Sequence, residues 1–370
     1  LDPIGFTVLL RYWIGAFGSS PGALRALPFV FFILSFLAAM WFARRTYRIP
    51  WPLVALAPAV VLSIYIPLQY STELRPYSLE LLGVVVVAGL TAEYIARPCL
   101  PSLLLLIGSL VAFSVFSRYS FVTTVIASVA TLGVMTLTGR RELMRSLVAV
   151  AATAAAIALF VAWNIGLLSG SGLQESPGYT DELDLQDSWT WDFLSATLRA
   201  NFIEASQVLN GFSLLMGTLA LILILAARRR IRPATENSQT EQHSGWMDEV
   251  ANYSWSRSAL AATALFIALY EAAAIVLSAL GLSPWNASAR WSIGLHGLAI
   301  ISGLLLISVA VGIMRRFGFW SSSQGRGRRV GTKIVIAGIL AVVLVLDLIL
   351  VYRSMMRTAH FRHTSYQPIA

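Results

Sequence analysis

Charge and cysteine are what this sequence has least of. Only 12% of its 370 residues are Asp, Glu, Lys or Arg, against roughly 25% in an ordinary soluble domain. The single cysteine, Cys99, excludes an intrachain disulfide and a multi-cysteine metal centre. Histidine is scarce too. His243, His296, His360 and His363 show no ligand spacing, so neither metal nor cofactor is expected.

Apolar residues take the place of charge, making up 57% of the chain. They fall in runs such as Pro28 to Phe42, Leu53 to Leu68, Leu103 to Phe116, Val148 to Ile165, Leu214 to Ala227, Ala259 to Leu280, Ile293 to Met314 and Ile334 to Val351. Such runs approach or reach the roughly 20 residues needed to cross a bilayer core. In lipid a helix satisfies its own backbone within one segment, so each run is expected to be helical. The expected fold is all-α: a polytopic integral membrane protein with about ten transmembrane helices. The spans are placed at 25–43, 52–69, 78–96, 101–117, 120–138, 146–168, 211–227, 258–281, 292–314 and 332–352. A single membrane domain covers 1–370, with an outer interfacial segment at 1–24, a first helix group at 25–168 and an outer loop at 169–210. A second helix group at 211–352 and a tail at 353–370 complete it.

The net charge of +9 does not point to nucleic acid. The basic residues sit in short clusters after alternate spans: Arg44, Arg45 and Arg48; Arg97; Arg140, Arg141 and Arg145; Arg228, Arg229, Arg230 and Arg232; and Arg315 through Lys333. That is the positive-inside pattern, so these loops are expected to be cytoplasmic in a multi-pass protein of the plasma (inner) membrane. The opposite loops are then outer. The longest, from Ser169 to Asn210, is acidic and aromatic; its Asp181, Glu182, Asp184 and Asp187 read either as a cation site, though in no EF-hand spacing, or as part of a solvated, mobile loop. Loop 228–257, on the cytoplasmic side, reads as a flexible linker. Ahead of the first span, Phe6, Leu9, Leu10, Trp13 and Phe17 recur at helical spacing, with Thr7 and Arg11 opposite. They predict a short amphipathic helix in the interface, broken at Gly18 to Gly22. The chain opens at Leu1, so at least one further helix is expected upstream.

Arginines on the outer face go against the positive-inside rule. Arg75, Arg118 and Arg290 lie at helix ends in short outer loops, beside Tyr77, Tyr119 and Trp291. A guanidinium at a membrane surface grips phosphate through two parallel hydrogen bonds. Interfacial anchoring is the competing reading. Glu73 lies two residues before Arg75 in Tyr70-Ser-Thr-Glu-Leu-Arg-Pro-Tyr77. Pro76 is expected to start a helix, which leaves Glu73 and Arg75 in irregular backbone as either a surface ion pair or the lining of a polar cavity. Glu80, one turn beyond Tyr77, is placed to face the same cavity. Glu93 is expected to snorkel at the cytoplasmic end. Glu271 and Asp347 are intramembrane carboxylates, hence either structurally paired or functional.

Three stretches resemble the GT-C glycosyltransferases, multispanning enzymes that use polyprenyl-phosphate sugars. The nearest likeness is to bacterial relatives of dolichyl-phosphate-mannose–protein mannosyltransferases and of lipid A aminoarabinose transferases. Asp2-Pro-Ile-Gly-Phe-Thr-Val-Leu-Leu-Arg-Tyr-Trp13, with Phe17-Gly and Ala23-Leu-Arg-Ala-Leu-Pro28, looks like the family's HPPLYYLLL…W…FG…ALRLPS run. Tyr70 to Leu79 looks like YSQEARPYAL. Ser117-Arg-Tyr119 and Ala289-Arg-Trp291 stand where members carry His-Tyr and Arg-Tyr pairs. The likeness is good over residues 1–120 and weak beyond. It implies transfer of a sugar from a polyprenyl-phosphate donor to a glycan, lipid or protein acceptor at the outer face. Arg75, Arg118, Arg290, Tyr70, Tyr77 and Tyr119 would hold the lipid phosphate and sugar, and Glu73 would assist. The family's catalytic aspartate lies upstream of the first stretch, a part this chain does not include. Asp2 is the stand-in here. Two other classes stay open: a lipid-carrier or solute transporter without covalent chemistry, and an inactive GT-C-like scaffold.

Overall fold

The computed structural model describes residues 4–49, 54, 74–138, 141–169, 257–279, 297 and 301. Among them are seven α-helices: α1 (Ile4–Phe17), α2 (Pro21–Arg45), α3 (Tyr77–Ala96), α4 (Leu100–Phe116), α5 (Val122–Leu137), α6 (Met144–Ser169) and α7 (Arg257–Ala279). Single 3-10 turns at Tyr119–Phe121 and Arg141–Leu143 precede α5 and α6. The described part is all-α. Three of its helices, α2, α3 and α6, are long and apolar enough to cross a membrane, while α4, α5 and α7 are shorter apolar helices.

Helix ends follow local chemistry. Ser20 caps α2 by accepting a hydrogen bond from the Ala23 N–H at 3.2 Å, and Pro21 takes the first helical position, where a missing N–H costs nothing. The first span therefore begins at Pro21, four residues before the position expected from hydropathy. Gly18 bridges α1 and α2 with φ +82°, a left-handed conformation that disfavours side chains. Pro76 precedes α3 as its cap, one position earlier than expected, and its carbonyl accepts from the Glu80 N–H.

Helix α3 is the centre of the bundle, packed against α2, α4, α5 and α7. Every residue from Tyr77 to Ile95 except Val86 is buried. A helix apolar on all sides and enclosed by others belongs in a protein interior. The outer helices differ. On α2, Phe29, Val30, Ile33, Leu34, Leu37 and Trp41 are exposed along one stripe at helical spacing. Leu100, Leu104 and Leu105 on α4, and Val148, Leu159 and Trp163 on α6, are exposed as well. In water such a surface would be an aggregation hazard; against lipid it is the matching face.

Long-range contacts fix the helix directions. Glu93 near the end of α3 pairs with Arg45 at the end of α2. Tyr94 shares a hydrogen bond with Ser146 at the start of α6, and Tyr47 one of 2.8 Å with Thr263 in the second turn of α7. This end gathers Arg44, Arg45, Arg97 and Arg145 and is called the basic end below. Glu93 does not snorkel. It is buried and its carboxylate is held by Arg45, whose guanidinium also lies over the Trp41 ring. A carboxylate inside a bundle needs such a partner.

At the opposite end α1 lies on the bundle. Phe6 is buried with Leu27, Leu79 and Leu82, and Leu9, Leu10 and Trp13 pack against the same cluster. Thr7 and Arg11 face away. The amphipathic pattern holds except at Phe17, which is exposed and stacks on Trp13 at 4.2 Å. The Trp13 indole N–H donates to the Ala23 carbonyl at 2.7 Å, tying α1 to α2. Gly5 sits on the end of α4, where a Cβ would come within 2.2 Å of the Val115 carbonyl oxygen.

Candidate functional site

The end opposite the basic end carries the candidate site. Arg118 leaves the turn after α4, where the Ser117 N–H closes the helix onto the Phe113 carbonyl. Its guanidinium lies 4.9 Å from the centre of the Tyr77 ring, at the first position of α3. That is within cation–π range. The same guanidinium stands 3.5 Å from Glu80 Oε2, and its side chain is only 13% exposed. Glu80 is itself almost fully buried, and its Oε1 accepts a hydrogen bond from the Ser120 hydroxyl at 2.7 Å. One carboxylate is thus held at one oxygen by Ser120, while its other oxygen faces the arginine in a looser ion pair.

The turn geometry explains this meeting. Glu80 follows Tyr77 by three residues, so both side chains lie on one face of α3. The 3-10 turn at Tyr119–Phe121 carries Ser120 back toward that face, closed by the Phe121 N–H bonding to the Arg118 carbonyl. Below it the Phe113 and Phe121 rings pack together at 5.8 Å. Helix α7 brings Tyr270 and Glu271, both buried, to the same region. Tyr270 lies in the neighbourhood of Glu80, Glu271 and Arg118.

Several buried hydroxyls deeper in the bundle bond to the carbonyl one turn back, as Thr91, Thr131, Thr136 and Thr263 do. Ser114, Ser117 and Thr124, around the Arg118 turn, are buried with no hydrogen-bond partner, as is Glu80 Oε2. Buried polar atoms are normally satisfied, so this end is polar beyond what its packing uses.

Of the residues expected from sequence, Tyr77, Arg118 and Glu80 come together. Arg75 lies in the bend just before α3, in irregular backbone as expected, and is exposed. Tyr119 lies in the 3-10 turn between Arg118 and Ser120. Asp2, Tyr70, Glu73 and Arg290 lie outside the described residues, and so does Asp347. Sequence reasoning missed Ser120 and Tyr270. Ser120 ends a Ser-Arg-Tyr-Ser turn, and Tyr270 precedes an intramembrane carboxylate, but neither signal names a partner. Among the described residues no three His, Cys, Asp or Glu side chains group to hold a metal.

No family model, curated protein or solved structure matches the chain. What the fold defines is a class: a helical integral membrane protein, with three helices among the described residues long and apolar enough to span.

Proposed function

We propose that this chain is a GT-C-like membrane glycosyltransferase of about ten spans that moves a sugar from a polyprenyl-phosphate carrier to an acceptor on the outer face. One observation supports this above others. Parts of three separated stretches that carry the family likeness meet at one end of the bundle. Phe6 of the first packs with Leu79 of the second, and Tyr77 of the second lies under Arg118 of the third.

The chemistry fits that end. Displacing a sugar from its carrier leaves a phosphate dianion at the membrane surface. Arg75, Arg118 and Arg290 would stabilise the growing charge, which is usually the largest catalytic contribution. Tyr70, Tyr77 and Tyr119 would flank the donor, and Glu73 would orient Arg75. A carboxylate, Asp2 in this chain, would take the proton from the acceptor hydroxyl or amine. Helix α1 would cover the donor from the interface.

The deciding experiment uses purified protein and a panel of radiolabelled polyprenyl-phosphate hexoses and pentoses. Release or transfer of label that disappears in Arg118→Ala supports the reading. Movement of the intact lipid across proteoliposomes without cleavage would instead make the protein a carrier flippase.

A further inference from the structure

The Arg118 guanidinium, which the reading above assigns to the lipid phosphate, is already engaged. Arg118 lies over Tyr77, faces Glu80 Oε2 at 3.5 Å and keeps 13% of its side chain exposed. The two partners are not equally held. Glu80 is on the first turn of the central helix, nearly without exposure, and Ser120 secures its other oxygen at 2.7 Å. Arg118 is on a turn between helices, at the end of a long flexible side chain. Its contact with Glu80 exceeds normal hydrogen-bond length. If one partner moves, it is the arginine.

We propose that Glu80 is an internal competitor for Arg118, an autoinhibitory contact that a phosphate ligand must displace before the arginine can grip it. The inference rests on the lipid-phosphate reading above and adds a sequence of events to it. The phosphate approaches the turn after α4, and Arg118 then swings off Glu80 to grip it. Leaving Glu80 buried without its cation is unfavourable, and that cost is subtracted from the affinity. The device therefore weakens binding of any anion that cannot draw Arg118 off Glu80. It admits a phosphate held at the right depth and disfavours stray headgroups.

The sign of one mutation decides it. Glu80→Gln keeps the shape of the side chain and an oxygen for Ser120 but removes the competing charge. The probe is geranylgeranyl methyl phosphate, a mixed phosphodiester, in detergent micelles; it carries one negative charge throughout the neutral range. Glu80→Gln should bind it more tightly than wild type, by about 5- to 50-fold, the span of a typical coupling between linked interactions. Glu80→Asp, which draws the carboxylate back by one methylene, should tighten binding less but in the same direction, and serves if the glutamine variant does not fold. Weaker binding by both variants overturns the proposal, because Glu80 would then be orienting Arg118 for the ligand. Absence of saturable binding by wild type and both variants removes the lipid-phosphate site itself, and the competition with it. Tight wild-type binding that Glu80→Gln leaves unchanged removes only the competition.

Discussion

Arg75 and Arg118 differ in exposure. Arg75 is exposed in a bend; Arg118 is largely buried, stacked on Tyr77 and paired with Glu80. Their variants should therefore differ. Arg75→Ala is expected to cost about 2–4 kcal/mol in transition-state stabilisation, like loss of one oxyanion donor. Arg75→Lys keeps the charge but loses the planar fork, and should be impaired though less severely. Wild-type turnover in Arg75→Ala would remove that residue from the site. Arg118→Ala should lower turnover and the melting temperature together, since it leaves Glu80 buried without its cation. Cys99, exposed between α3 and α4, allows a pH test. Its thiol is hydrogen-bonded with the Ser102 hydroxyl at 3.0 Å, which holds it below the usual thiol range. More of it is thus thiolate at neutral pH. Ser102→Ala moves the thiol up toward its ordinary value of about 8.5, so maleimide labelling near pH 7 should slow. Well above that value both proteins are ionised and the rates should converge. Unequal rates there would show that access, not ionisation, sets the difference.

Among the elements, the first contact to test is α1 on α4. Gly5→Val places carbon against the Val115 carbonyl, so α1 must shift. A loss of about 1–3 kcal/mol is expected, read as a lower melting temperature in detergent. Loosening α1 should also lower transfer activity if it covers the donor. The Arg45–Glu93 pair predicts an asymmetry. The Arg45 side chain is 52% exposed and that of Glu93 only 8%. Arg45→Ala strands a buried carboxylate, whereas Glu93→Gln leaves an arginine that water can reach. The first should therefore be the more destabilising of the two. Most of the elements were legible in the sequence. Six of the expected spans coincide with described helices, each beginning within four residues of its expected start, because apolar runs and Pro or Gly punctuation act locally. Tyr77 and Arg118 were legible too, as aromatic–arginine neighbours in short loops. The partner of Glu93 was not, nor was the hydrogen bond from Ser120 to Glu80. Those contacts join residues 48 and 40 positions apart, and no local pattern encodes which helix packs on which. Hydropathy also failed to separate the buried α3 from the lipid-facing α2 and α6, since protein interior and lipid are both apolar.

For the whole molecule the open quantity is orientation. The basic end gathers Arg44, Arg45, Arg97 and Arg145 near Cys99, and the positive-inside rule puts it in the cytoplasm. An impermeant maleimide added to intact cells should therefore miss Cys99 and a cysteine at position 238, and should label one at position 185. Labelling at 238 from outside would invert the topology. The two ion pairs on α3 also set a thickness. Glu80 and Glu93 are 13 residues apart, a rise of roughly 20 Å at 1.5 Å per residue, whereas a typical hydrocarbon core is about 30 Å deep. Both pairs therefore lie within the depth of the core and depend on the surrounding helices, not on headgroups, for their polar surroundings. A bilayer that does not match those outer helices strains that enclosure, and acyl-chain length becomes a control on activity. Turnover in vesicles of graded chain length should fall on either side of an optimum, and the dependence should flatten when Glu93 is made Gln.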